Sequence, residues 1–487
     1  MLFNSYIFVL LFLPLTLIGY FALNHFKKYR LASVYLLLMS LWFYAYFNIK
    51  YLPIIVISIL VNFGFYKLFK SGCAKWLKKA VLILAVTLNI GVLFYFKYYD
   101  FFFENINAVF KTSFALKHLV LPLGISFFTF QQLSFVIDSY KGEVPEYDFI
   151  NYALFVTYFP QLIAGPIVTH DELVPQLLCV DRRKLNFENL ANGLYGFALG
   201  MGKKVLIADI FGNAVNWGYS NLDAINSTDA IMLMLAYTVQ IYFDFSGYCD
   251  MATGIAKMMN LDLPQNFNSP YKALTITEFW KRWHMTLTRF FTKYIYIPLG
   301  GSRKGQARML VNTMIVFLVS GLWHGSDWSF VLWGALHGLF SIITKSFNKF
   351  FSKLHPAFNW IITFLFVNVT WIFFRADTVS DALQVIFNIG SMNFGPINPE
   401  LLSSFRLEGV EFAFAVLFKA ELSALYPEIY FLGFGAVAFI LALGCQNVKE
   451  KMDGFMPNVW KSLLTVVLLV WSIISMSGMS SFLYFNF

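Results

Sequence analysis

Apolar side chains fill long stretches of this chain, and short polar segments break them at intervals. A helix needs roughly 20 such residues to cross a hydrocarbon core. Windows of that kind recur near 5–23, 31–47, 52–69, 80–102, 118–137 and 147–165, then near 228–247, 306–323, 327–345, 357–375, 427–444 and 460–479. The pattern predicts an all-α polytopic membrane protein with about twelve transmembrane helices. Segment 190–217 is ambiguous because Lys203, Lys204 and Asp209 interrupt it. The stretch from Leu261 to Arg308 fits neither a span nor a plain loop, since Trp280, Trp283, Phe290, Tyr294 and Tyr296 interleave with Lys281, Arg282, Arg289, Lys293 and Arg303. That mixture predicts interfacial or re-entrant helices, lying in the headgroup region or enclosed by protein at membrane depth.

Composition sharpens this picture. Of 487 residues, 58% are hydrophobic and only 13% charged, with a mean hydropathy of +0.63. A soluble domain carries about 25% charged residues, so a cytosolic enzyme, a secreted enzyme and a nucleic-acid-binding domain are excluded. The net charge of +9 is accounted for by Lys and Arg gathering in cytoplasmic loops. Lys27, Lys28 and Arg30 follow the first span, Lys70, Lys75, Lys78 and Lys79 follow the third, and Lys449 and Lys451 precede the last. This bias predicts that both termini face outward. The first apolar segment lacks a basic n-region and reads as a retained span. Cys73, Cys179, Cys249 and Cys445 show no metal-site or disulfide spacing.

Polar residues within apolar spans are costly, and so are candidates for function. Asp244, in QIYFDFSGYCD, is the clearest; its alternative is a structural acceptor for backbone or a cation. His324 stands between two apolar runs and is flanked by Gly321 and Gly325, so another backbone or a ligand can approach the ring closely. A near-neutral pKa suits imidazole to act as general base on a hydroxyl, although spacing alone equally allows a buried structural histidine. His324 and His337 cannot share a metal on one continuous helix, because thirteen intervening steps leave their rings more than about 130° apart. HExxH, P-loop, GxGxxG and GxSxG patterns are absent, and no metal site is expected. The pair Gly196 and Gly200 reads as helix packing.

Seven segments together carry a resemblance: LPLGISFFTFQQLSFVID, YFPQLIAGPI, DFSGYCDMATGIA, FNSPYKALTITEFWKRWHMTLTRFFTKYIYIPLGGSRKG, GLWHGSDWSFVLWGALHG, WIFFRADT and FLYFNF. The chain resembles the membrane-bound O-acyltransferase (MBOAT) family, in the bacterial branch that holds the alginate O-acetylation, peptidoglycan O-acetyltransferase and teichoic-acid D-alanyltransferase proteins. The resemblance implies one integral-membrane domain whose helices surround a funnel or tunnel. Within it, 1–117 would supply N-terminal spans, 118–380 the core with the motif histidines, and 381–487 the C-terminal spans and aromatic tail. It also implies that His324 is the catalytic base near the tunnel floor and that His284 is a second, positioning residue.

The expected activity is an O-acetyltransferase of the bacterial cytoplasmic membrane. It would move acetyl from cytoplasmic acetyl-CoA, with no bound cofactor, to an envelope polysaccharide outside, by way of an extracytoplasmic SGNH-type partner protein. Lys281, Arg282, Arg289, Arg303 and Lys304 would meet the donor phosphates, or anchor to anionic lipid. Trp323, Trp328 or Trp283 indole N–H, or protonated His284, would meet a developing oxyanion. Tyr484 would carry or steer the acyl group, or else join an aromatic belt. Two other readings are D-alanyl transfer from a carrier-protein thioester and, from another class, a secondary transporter. The aromatic motif within the chain itself favours acetyl transfer over the first, and the absence of duplicated halves argues against the second.

Overall fold

The computed structural model describes residues 1–406, 411, 416, 426–476 and 483, and these are helical or irregular, with no strand among them. Apolar runs that lack internal water-bonding partners close their backbone hydrogen bonds within the helix, as a hydrocarbon environment requires. Proline sits in the first turn of the helices Leu52–Lys70, Pro356–Arg375 and Pro427–Phe439, where its missing N–H is harmless. Side-chain caps from Thr275, Asp327, Thr378 and Asn458 satisfy orphan amides at other helix starts.

Among the described residues, seven helices are long and apolar enough to cross a membrane, and Tyr29–Ala45 and Val459–Ser475 are shorter apolar helices. Three expected spans behave differently. The one near 118–137 begins only at Ile125, after a non-helical stretch, and is buried along most of its length. The one near 147–165 breaks into Phe149–Thr157 and Phe159–Leu162 at Tyr158, whose ψ of 107° leaves the helical region just before the turn that holds Pro160. Trp328–Ser346 is a continuous helix, but His337, Ser341, Thr344 and Lys345 lower its hydropathy. The ambiguous segment is one helical run: Phe187–Gly202, a π-helical stretch Lys203–Ala208, then Asp209–Ser220.

The chain divides into two compact units. The first comprises Met1–Phe197 and Met251–Pro264. Its core includes the rings of Phe3, Phe8, Phe12, Phe43 and Phe159, with centroids 4.9–6.3 Å apart. Its helices are also tied by buried amides: Asn89 donates to Asn62 at 2.7 Å, and Asn62 donates to Gln132. Interhelical amide bonds of this kind replace the hydrophobic drive that lipid removes. Gly193 lies against the Gly254 carbonyl, an added Cβ coming within 2.5 Å of it.

The second unit comprises Ala198–Asp250 and Gln265–Phe487 and carries both motif histidines. Its tightest helix pair is Gln306–His324 against Trp328–Ser346. A Cβ on Gly321 would fall 2.4 Å from the Phe330 carbonyl oxygen, and one on Gly334 the same distance from that of Phe317. Hydrogen cross-section at both positions lets the two backbones touch. In the same unit a Cβ on Gly247 would fall 2.8 Å from the Gly200 carbonyl, so this part of the Gly196–Gly200 motif does pack helix on helix.

Candidate active site

His284 occupies the break between two short helices, Ile276–Arg282 and Met285–Phe291. Its backbone is left-handed, with φ 44° and ψ 52°, a conformation that a non-glycine residue adopts only when its surroundings impose it. The surroundings here are the loop 266–268. The Asn268 amide donates to the Arg282 carbonyl and the Met285 amide donates to the Asn266 carbonyl, both at 2.9 Å. The loop therefore grips the chain on both sides of His284.

The Asn266 side chain completes the grip. Its Oδ1 accepts from the Thr286 hydroxyl at 2.9 Å and from the Thr286 amide at 3.3 Å, and it lies 3.1 Å from Nδ1 of His284. An oxygen that already accepts from an amide must accept from the ring as well, so Nδ1 carries the proton. Nε2 is then the lone-pair nitrogen, and it has no hydrogen-bond partner among the described residues. Burial pushes the imidazolium of His284 well below its ordinary pKa, because charging an enclosed ring forfeits its hydration. A neutral imidazole with its basic nitrogen oriented is what this arrangement presents.

His324 ends the helix Gln306–His324 and is 2% exposed. Gly325 follows with extended backbone, and a Cβ there would overlap the Phe330 ring. The two flanking glycines thus admit another backbone and another ring beside the imidazole. Trp323, Trp333 and Phe374 enclose His324 at centroid distances of 4.8, 5.2 and 5.0 Å. The two imidazole centroids lie 6.4 Å apart with the ring planes tilted by 58°, and the Trp323 ring is 6.0 Å from His284. The aromatic walls exclude water and keep the local dielectric low, which strengthens any hydrogen bond formed inside.

His337 plays a different part. It accepts from the Trp280 indole at 3.2 Å, and its other nitrogen lies 3.0 Å from the Thr370 hydroxyl, which in turn lies within reach of the Phe366 and Val367 carbonyls. With both nitrogens engaged in structure, it braces Trp280. Trp280 in turn walls a cavity of about 300 Å³ lined by Lys281, Thr288, Thr292, Thr313, Ser320 and Lys345 among others. Two ammonium groups and a set of hydroxyls above aromatic walls suit an anionic, partly apolar ligand.

The other residues singled out in the sequence fall in varied places. Lys281 lines that cavity. Arg282 is bound to Glu278 at 2.8 Å and to the Asn268 carbonyl at 3.2 Å, and so supports the loop. Arg289 is exposed on the helix after His284, while Arg303 and Lys304 lie on an exposed turn outside the cavity lining. Trp283 is fully buried against Phe267, Phe279 and Trp371. Trp328 is largely exposed. Asp244 pairs with Lys204 at 2.6 Å. Tyr484 lies outside the described residues. Asn266, Thr286 and Lys345 escaped sequence reasoning: all three are common polar residues, and only the tertiary structure brings them to His284 or the cavity.

The helical membrane fold with two buried imidazoles is that of an integral-membrane acyltransferase: the chain belongs to the membrane-bound O-acyltransferase family, whose model matches residues 10–376. It is similar to the "Peptidoglycan O-acetyltransferase" of Helicobacter pylori, 42% identical over 423 residues that cover 81% of this chain and 80% of the relative. It is also similar to the "Probable alginate O-acetylase AlgI" of Pseudomonas aeruginosa, 35% identical over 441 residues, 88% of this chain and 83% of that one. The "Teichoic acid D-alanyltransferase" of Bacillus subtilis is 27% identical over 256 residues, 50% of this chain and 63% of the relative.

Proposed function

We propose that this acyltransferase takes acetyl from cytoplasmic acetyl-CoA and delivers it to the outer side of the bacterial inner membrane, where an extracytoplasmic partner completes O-acetylation of an envelope polysaccharide. The observation that carries the reading is the pair of buried imidazoles, with centroids 6.4 Å apart inside aromatic walls. His324 serves as general base on the accepting hydroxyl. His284 is a positioning residue beside it: with its tautomer set by Asn266, Nε2 is an acceptor and makes no hydrogen bond to the thioester carbonyl. The alkoxide formed attacks the thioester carbonyl, the tetrahedral oxyanion collapses, and the thiolate leaves and takes up the proton from His324.

The cavity holding Lys281 and Lys345 supports entry of an anionic donor, whose phosphates would pair with the ammonium groups while its apolar arm lies along Trp280, Phe291 and Phe317. Acetyl rather than D-alanyl transfer is favoured because the relatives named for O-acetyl chemistry align over most of this chain at higher identity than the D-alanyl relative does. Tyr484 is kept as the residue that receives acetyl and passes it outward, and Tyr484→Phe, which removes only the hydroxyl, tests that step. The assignment as a whole is tested by label transfer from acetyl-CoA to glycan in membranes that carry the wild type or His324→Ala. Loss in the variant, with normal membrane insertion, is expected; near-normal transfer refutes it.

A further inference from the structure

Three charges lie enclosed in the second unit, one of them on Asp244, whose neighbour Phe245 packs its ring 4.8 Å from that of His284. Nζ of Lys204 sits 2.6 Å from Oδ1 of Asp244 and 2.8 Å from Oδ1 of Asp209. The Lys204 and Asp244 side chains are 4% and 2% exposed, and Asp209 is more open at 20%. One ammonium against two carboxylates leaves a surplus negative charge, and a buried carboxylate oxygen demands a further donor. That donor comes from far along the chain: the Leu483 backbone amide donates to Oδ2 of Asp244 at 2.9 Å, and the Leu483 side chain is buried. The two oxygens of Asp244 are thus divided, one for Lys204 and one for the C-terminal segment. Lys203, the preceding residue, is held separately by Asp250 at 2.6 Å.

We propose that Asp244, oriented by Lys204, is a positioning residue that docks the C-terminal aromatic segment through the Leu483 amide. The docking stands on its own geometry. Its consequence for acetyl transfer rests on the reading above, in which the residue next to Leu483 handles the acyl group. Asp209 keeps Lys204 paired when Asp244 is replaced, so substitution at 244 removes the acceptor without stranding a buried ammonium.

The test uses the full chain in membranes. Leu483→Cys keeps the amide, and its modification by a membrane-permeant maleimide is followed by site-resolved mass spectrometry. We expect labelling about tenfold faster when Asp244→Leu is added, the factor that one hydrogen bond to a charged acceptor supplies. Asp244→Asn retains an acceptor and should remain slow. Equal rates in all three overturn the docking. Should Asp244→Leu fail to accumulate, Leu483→Pro removes the donor together with the leucine side chain, so Leu483→Ala, which keeps the amide, is its control; a C-terminal tag should be trimmed by protease faster in the proline variant than in the alanine one, and equal trimming overturns the proposal. Acetyl transfer is measured in parallel. If Leu483→Pro frees the segment but transfer continues, docking stands and the role given to the tail in acyl transfer falls.

Discussion

At the scale of single residues, the chemistry depends on which nitrogen of His284 is basic. Asn266 decides this, since its oxygen already accepts from Thr286 and so takes the ring proton on Nδ1. Replacing Asn266 with Ala strands that N–H, the Thr286 amide and the Thr286 hydroxyl in a dry site, where each unmet group costs about 1–3 kcal/mol. The expected result is a drop in turnover of about tenfold or more, with donor KM little changed, and steady-state kinetics on purified membranes checks it. Asn266→Asp, which preserves the oxygen, should recover part of the rate. Asn266 was not legible in the sequence because an asparagine in the irregular stretch after Pro264 reads as a loop residue, and its partners His284 and Thr286 lie 18 and 20 residues away. His324 was legible because a lone imidazole between apolar runs is rare, and the resemblance pointed to both histidines. Asp244 was legible as an anomaly, but its partners were not: Lys204 and Leu483 lie 40 and 239 residues away.

At the scale of elements, apolar length foretold most helices to within a few residues and failed where burial was by protein. Ile125–Lys141 carries Gln131, Gln132, Ser134 and Asp138 among its buried residues, which hydropathy cannot distinguish from a polar surface. The break at Tyr158 had a signal in Pro160, but the apolar residues around it let the stretch read as one span. The segment around His284, by contrast, announced itself through mixed aromatic and basic side chains, and it folds as short helices broken at a left-handed residue. The hairpin of Gln306–His324 and Trp328–Ser346 rests on Gly321 and Gly334. Gly321→Val forces the helices apart and should destabilise the hairpin by about 1–3 kcal/mol. It should also shift His324 relative to His284 and lower both detergent-solubilised Tm and activity, whereas Gly64→Ala, which meets open space, should leave both unchanged.

At the scale of the whole molecule, the proposed function requires a cytoplasmic thioester to reach an outer acceptor. The cavity with Lys281 and Lys345 offers two cations to an anionic ligand, and ammonium–phosphate pairing weakens with ionic strength. Lys281→Ala combined with Lys345→Ala should raise donor KM several-fold, flatten its salt dependence and change kcat little. Equal KM in the variant and the wild type would remove the cavity from the donor path. The charge bias predicts that the basic segments lie inside, so inverted vesicles should consume added acetyl-CoA and sealed right-side-out vesicles should not; equal consumption would reject that topology. Both results presuppose that His324 is the base. The most direct measurement is therefore the rate at which label leaves acetyl-CoA in inverted vesicles carrying His324→Ala, compared with wild type at equal protein level. A fall of about 10²-fold or more, the contribution of a positioned base, is predicted; a rate within a factor of about two of wild type would contradict the account.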